Sequence, residues 1–231
     1  MRKIYIAYNL EDKGDKSMAT KLILFDLLTA LMDSWTIWEE AAGNREDGLK
    51  WRYQYLKITY GCGAYRPYET LVEEAAVAAG FEKSLAEELK KRWNTLSGWP
   101  EALSVLQELK KNYRLGVVTN CSEKLGRQAA SQMGIDFDVV VTAAQAGFYK
   151  PDPRPYEMAL SLAGVAPSDA LFVAGSAYDM LGTSKVGLPT IWHNRIGMKM
   201  PEGIPSPMVV IKTLNELPKA ISDYEKGIIQ I

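Results

Sequence analysis

Hydrophobic and polar positions follow two rhythms along this chain. In KLILFDLLTALMDS, residues 21–34, apolar residues 22–25 run without interruption into one acidic residue, Asp26. Such a run fits a strand buried on both faces of a parallel sheet. It places Asp26 at the carboxyl end of that strand, where open α/β sheets collect their ligands. Asp26 reads equally well as the cap of the segment that follows. Beyond Asp33 the period lengthens: Trp35, Trp38, Ala41 and Ala42 recur at helical spacing and Gly43 offers a stop. Further helices are predicted over 49–59, before Gly61-Cys62-Gly63, over 68–79, closed by Gly80, and over 84–93. No strand pattern interrupts residues 35–96, and Gly98-Trp99-Pro100 bounds the stretch.

After Pro100 strands and helices alternate. Strands are predicted over 115–118, 139–142, 171–174 and 190–192, and helices over 102–110, 124–133, 154–163 and 180–186. A short strand over 208–211 and a helix over 214–224 close the chain. Repeated βα units predict an α/β fold, a Rossmann-like doubly wound parallel sheet, with a helical cap inserted after the first core strand. The expected division is a core of residues 18–33 and 98–231 and a cap of residues 34–97. Residues 1–17, with the strand-like KIYIAY, form a leader or an extra strand.

Composition narrows the function. With 231 residues, 47% of them hydrophobic, the chain can bury one core plus an insertion. The formal net charge of −1 gives no general pull toward nucleic acid or an anionic membrane. No window approaches the roughly 20 apolar residues of a membrane span. Cys62 and Cys121 share no metal-like spacing, so reduced thiols and a cytoplasmic location are expected.

Four polar clusters fall at consecutive strand ends: Asp26; Thr119-Asn120 with Ser122; Lys150; and Ser176 with Asp179. Each alone suits a cap, a turn or a solvated side chain. Their gathering on one edge of one sheet points to a site. The aromatic group Trp51, Tyr53, Tyr55, Tyr60, Tyr65 and Tyr68 suits helix packing or the wall of a pocket.

The order FDxxTAL, VVTN, GFYKPDPRPYEMA and LFVAGSAYD with GLPTIWHNR resembles the haloacid dehalogenase superfamily, closest to its L-2-haloacid dehalogenase branch. The resemblance implies that Asp26 is a nucleophile forming a covalent ester. It implies that Thr119 and Asn120 hold the substrate carboxylate or leaving group. Lys150 would offset the charge around Asp26, Tyr156 and Leu28 would join the substrate-binding set, and Ser176 and Asp179 would orient the hydrolytic water and Lys150. No family role falls on His193, which reads as a surface-loop residue.

Departures from the family pattern shape the expectation. Superfamily phosphatases carry a second aspartate two residues after the nucleophile, to protonate a leaving alkoxide; Leu28 stands there, and halide needs no proton. Ser176 replaces an acidic ligand of the magnesium site, so no metal and no cofactor are expected. The Gly-Thr of the first motif reads Thr29-Ala30, and the first serine of the fourth reads Ala174. The branch's halide-binding cap arginine aligns near Cys62, and Arg52 and Arg66 read as solvated. The expected function is metal-independent hydrolysis at carbon, a small carboxylate being the substrate. An epoxide acid on the same scaffold, protonated by a cap tyrosine or Tyr178, and a non-catalytic binding protein are the alternatives. The cap could also bury an apolar patch in a homodimer.

Overall fold

The computed structural model describes residues 20–229, so the expected leader or extra strand at residues 1–17 lies outside the described residues. Six parallel strands form one sheet in the order β3-β2-β1-β4-β5-β6. They are β1 (Leu22–Phe25), β2 (Arg114–Thr119), β3 (Val139–Thr142), β4 (Ala170–Ala174), β5 (Thr190–His193) and β6 (Val209–Ile211). The doubly wound expectation therefore holds.

The two faces of β1 show why its sequence has no polar alternation. Ile23 and Phe25 enter one apolar cluster, against α5 (Ala102–Leu109), α6 (Glu123–Gln132) and α10 (Leu217–Glu225). Leu22 and Leu24 enter another, against α8 (Arg154–Ala163) and α9 (Asp179–Val186). All four side chains are fully buried, each contributing roughly 1.5–3 kcal/mol of transfer free energy. α7 (Ala143–Ala146) is a single turn that the sequence pattern did not predict.

Between β1 and α5 stand α1 (Ser34–Ala42), α2 (Arg45–Cys62), α3 (Tyr68–Ala78) and α4 (Leu85–Lys91). An edge-on indole pair ties α1 to α2, with Trp38 and Trp51 ring centroids 4.5 Å apart, and Trp51 Nε1 donates to the Val72 carbonyl of α3 at 3.1 Å. Tyr55 and Tyr68 join this core, Tyr55 and Tyr60 line a cavity and Tyr53 stays exposed, so the aromatic group divides between packing, pocket wall and surface. At the two crossings to the sheet, Asp33 N–H donates to the Ser97 carbonyl and Trp99 N–H to that of Leu31. A second attachment pairs Tyr65 N–H with the Gly147 carbonyl and Tyr149 N–H with that of Gly63, both at 2.8 Å. The insertion is thus fixed on either side of the sheet's carboxyl edge.

Candidate active site

Strand order reverses between β1 and β4, and the crevice beyond such a reversal is where doubly wound sheets bind ligands. Asp26 leaves β1 with extended backbone and caps a tight π-type turn, Leu27–Leu31, that the sequence pattern did not predict. Its Oδ2 accepts from Thr29 N–H at 2.9 Å, Thr29 Oγ1 at 2.6 Å and Ala30 N–H at 3.2 Å. Its Oδ1 accepts from Lys150 Nζ at 2.8 Å. The capping and the chemical readings of Asp26 are therefore both realised, one on each oxygen.

Lys150 bridges to a second carboxylate, Asp179 Oδ1, at 3.0 Å. All three side chains are at least nine-tenths buried. Burial pushes the Asp26 carboxyl up, but the Lys150 ammonium and the Thr29 donors outweigh it and hold the group below its ordinary range. For Asp179 burial dominates, reinforced by the nearby Asp26 charge, and its pKa is raised although Lys150 and Tyr156 oppose this. Burial lowers Lys150, yet the two carboxylates overcome it and keep the ammonium protonated above its usual range.

The other expected residues gather around this triad in different roles. Asn120 spans the Lys150 peptide, Nδ2 donating to its carbonyl at 3.0 Å and Oδ1 accepting its N–H at 2.7 Å. Its amide thus braces the lysine. Tyr156 donates its hydroxyl to Asp179 Oδ1 at 2.7 Å and does not line the cavity, so it supports a carboxylate where a substrate contact was expected. Thr119 also stands behind the cavity wall, its buried hydroxyl without a partner among the described residues. Ser176 accepts from Tyr60 Oη at 2.8 Å, and Leu28 lines the cavity beside Asp26.

Three readings are corrected. Arg52 is not solvated: it is 3% exposed, lines the cavity with Asp26 and Lys150, and lies 4.4 Å from the Trp35 ring centroid and 5.3 Å from that of Trp38. One nitrogen donates to the Ser34 carbonyl at 3.3 Å; Nε has no partner among the described residues. Cys62, aligned with the halide-binding position, instead donates its thiol to the Ala64 carbonyl away from the cavity. Arg66 does pair in solvent with Glu74. His193 is not a loop residue: it ends β5, is 1% exposed, and its Nδ1–H donates to the Ala30 carbonyl at 2.8 Å, steadying the turn that holds Asp26.

The altered first motif has a steric counterpart in the fourth. A Cβ on Gly175 would come within 2.1 Å of Thr29 Oγ1 and 2.4 Å of Ala30 N, so glycine there admits the turn whose hydroxyl and amides grip Asp26. For a hard divalent cation the site offers two carboxylates, both already on the Lys150 ammonium. Among the described residues no group of three His, Cys, Asp or Glu side chains converges to hold a metal. No helix of the described residues is long and apolar enough to cross a membrane.

Comparison with known proteins agrees with this geometry. Residues 23–193 match the family model described as haloacid dehalogenase-like hydrolase. (S)-2-haloacid dehalogenase 4A of Burkholderia cepacia is 29% identical over 161 residues, covering 64% of this chain and 70% of the relative. A phosphoserine phosphatase of Thermus thermophilus is also 29% identical, over 190 residues, 78% of this chain and 76% of its own. A dehalogenase crystal structure superposes with a TM-score of 0.75 at 27% identity, covering 86% of this chain and 95% of that one. With the matched model spanning more than half of the sequence, the chain belongs to the haloacid dehalogenase-like hydrolase family.

Proposed function

We propose that this hydrolase acts at carbon, converting a 2-haloacid and water to a 2-hydroxy acid and halide through an ester on Asp26, without a metal. The observation that carries the reading is Arg52: a buried guanidinium without a carboxylate partner among the described residues, lining the same cavity as Asp26 and Lys150. A free buried cation is costly unless an anion visits it, and halide departing from a carbon under attack is such an anion. The residue supplies the halide-binding cation that the resemblance leads one to expect from the cap.

The two carboxylates divide the work by their environments. Asp26, held ionised, attacks C2 through Oδ1 and halide leaves with the bonding pair. Oδ2 then becomes the ester carbonyl, already facing two amides and a hydroxyl; those donors stabilise the oxyanion when water adds to Cγ. Asp179, with its raised pKa, accepts the water's proton as general base. Collapse of the tetrahedral adduct breaks the Cγ–Oδ1 bond, the departing C2 alkoxide takes the proton back from Asp179 to leave as the hydroxy acid, and the new Asp26 carboxyl releases its own proton to solvent, restoring the carboxylate. Asn120, just past the end of β2, braces this arrangement through the Lys150 peptide, and the helical insertion acts as the cap that encloses it.

The similarity to a phosphatase gains no support from the cavity wall. Leu28 lines it where a proton donor to a leaving alkoxide would stand. Halide release from short 2-chloro acids without added metal, beside Asp26→Asn, tests the proposal. Asp26-dependent release, with an intact-protein mass increase of one carboxyalkyl group under single turnover, is the expected result. Magnesium-dependent phosphate release in place of halide release would overturn it.

A further inference from the structure

Two cavities meet at one wall. The inner one, about 40 Å³, contains Asp26, Lys150 and Arg52. The outer one is an open groove of about 570 Å³, lined by Tyr53, Lys57 and Pro201 among others. Leu56, Tyr60 and Met198 border both. On α2 the inner lining follows one stripe, Arg52, Tyr55, Leu56 and Thr59, and the outer lining follows the adjacent stripe, Tyr53, Leu56 and Lys57. Tyr60 stands on the boundary. Its ring stacks on Tyr178 with centroids 4.5 Å apart and planes at 27°, and its hydroxyl is tied to Ser176 Oγ at 2.8 Å. A side chain from the insertion is thereby fixed across the crevice to the loop after β4.

We infer that Tyr60, backed by Leu56 and Met198, is the size-limiting wall of the substrate site. It restricts the site to 2-substituted carboxylates whose side chain is one or two carbons long. The volumes carry this. At roughly 10–15 Å³ of such volume per water, the inner cavity displaces only a few waters. That is room for a carboxylate, its C2 and a leaving halide, with little left for a chain. The groove beyond has ample volume and an aromatic lining, and Tyr60, stacked on Tyr178, stands with Leu56 and Met198 between it and the inner cavity. The wall is a packing element held by a stacked ring, so its effect depends on the ring and not on the hydroxyl. This inference rests on the proposed reaction for its substrate, though the wall itself governs any carboxylate bound beside Arg52.

The test compares kcat/KM for 2-chloropropionate and 2-chlorohexanoate in the wild type, Tyr60→Ala, Tyr60→Phe and Leu56→Ala. A pocket commonly rejects one surplus methylene by about 10–200-fold. Tyr60→Ala is expected to raise the hexanoate-to-propionate ratio by about 10-fold or more, and Leu56→Ala to raise it less, on that same scale. Tyr60→Phe, which keeps the ring, is expected to leave the ratio unchanged. Calorimetric binding of propionate and hexanoate to the same proteins reads the wall without turnover. Halide release with an unchanged ratio in both alanine variants overturns the wall and leaves the reaction standing. A shift in binding preference without halide release from any acid overturns the reaction and leaves the wall standing. Absence of both overturns both.

Discussion

Replacing Lys150 with Met removes a cation from between two carboxylates while nearly keeping its volume. Lys150 Nζ lies 2.8 Å from Asp26 Oδ1 and 3.0 Å from Asp179 Oδ1, with side chains only 4%, 10% and 4% exposed, so solvent cannot replace it. Removing one partner of a buried ion pair costs about 3–5 kcal/mol. The Thr29 donors on Asp26 and the Tyr156 hydroxyl on Asp179 remain, which places the expected loss near the lower bound, about 3 kcal/mol at about pH 7.5. The sign with pH follows from linkage. In the wild type the Asp26 pKa is depressed, so its stabilisation is present above the unfolded value of 3.8 and is lost as pH falls through the folded one. In Lys150→Met burial acts without the ammonium and both carboxyls move above 3.8, so the folded state holds protons that the unfolded chain has released. Stability then falls as pH rises, by up to about 1.4 kcal/mol per pH unit for each proton held. Urea unfolding at about pH 5 and about pH 7.5 is expected to show the variant's deficit shrinking in acid. A deficit under about 1 kcal/mol, or one equal at both pH values, would refute the reasoning.

Arg52→Met separates function from stability. Loss of the cation on the leaving group is expected to lower kcat for halide release by about 10²–10³, comparable to deleting one oxyanion donor. Removing an unpaired buried charge is expected to leave the thermal midpoint level or higher, because the guanidinium has no carboxylate to strand. A lower midpoint with unaltered kcat would make Arg52 a structural residue. Tyr156→Phe removes a donor that lowers the Asp179 pKa, so that pKa rises further. A general base works above its pKa, so the acid limb of the kcat profile is expected to move to higher pH, with activity recovered at alkaline pH. An unmoved limb would exclude Asp179 as the titrating base.

Some of this was legible in the chain because local chemistry dictates it. The uninterrupted LILF run before Asp26 is readable as a doubly buried strand, and β1 indeed sends Ile23 and Phe25 to one core and Leu22 and Leu24 to the other. That four strand ends carry the polar residues is readable too, since the βα alternation fixes which ends point the same way. What was not legible depends on partners distant in sequence. A lone arginine on a charged, aromatic helix looks solvated until Trp35 and Trp38 are placed against it, although Arg52 shares a stripe with Tyr55, Leu56 and Thr59, and that spacing was the available signal. His193 extends the apolar run TIW to the end of a buried strand, which pointed inward, but its bond to Ala30 crosses the fold. The displaced hydroxyl of the first motif and the glycine of the fourth make sense only together, because Gly175 is the space that the Thr29 turn occupies.

The same lysine touches both carboxylates, so it cannot by itself decide which is nucleophile and which is base. The difference lies in what else each carboxylate meets. Asp26 receives three further donors from the turn it caps, all on Oδ2. Asp179 receives the Tyr156 hydroxyl, and on the same Oδ1 that faces Lys150. With Lys150 the additional donors carry the Asp26 pKa below its ordinary value, while burial and the Asp26 charge keep Asp179 above its own, and in the proposed reaction that split makes Asp26 the nucleophile and Asp179 the base. The placement of donors also assigns the oxygens. In the proposed reaction the three donors keep Oδ2 as the carbonyl-like atom, leaving Oδ1, held by the Lys150 ammonium alone, as the atom that bonds to carbon. On the proposed reaction, a cap at the end of a buried strand is what distinguishes the nucleophile from its neighbouring aspartate and presets its oxyanion site.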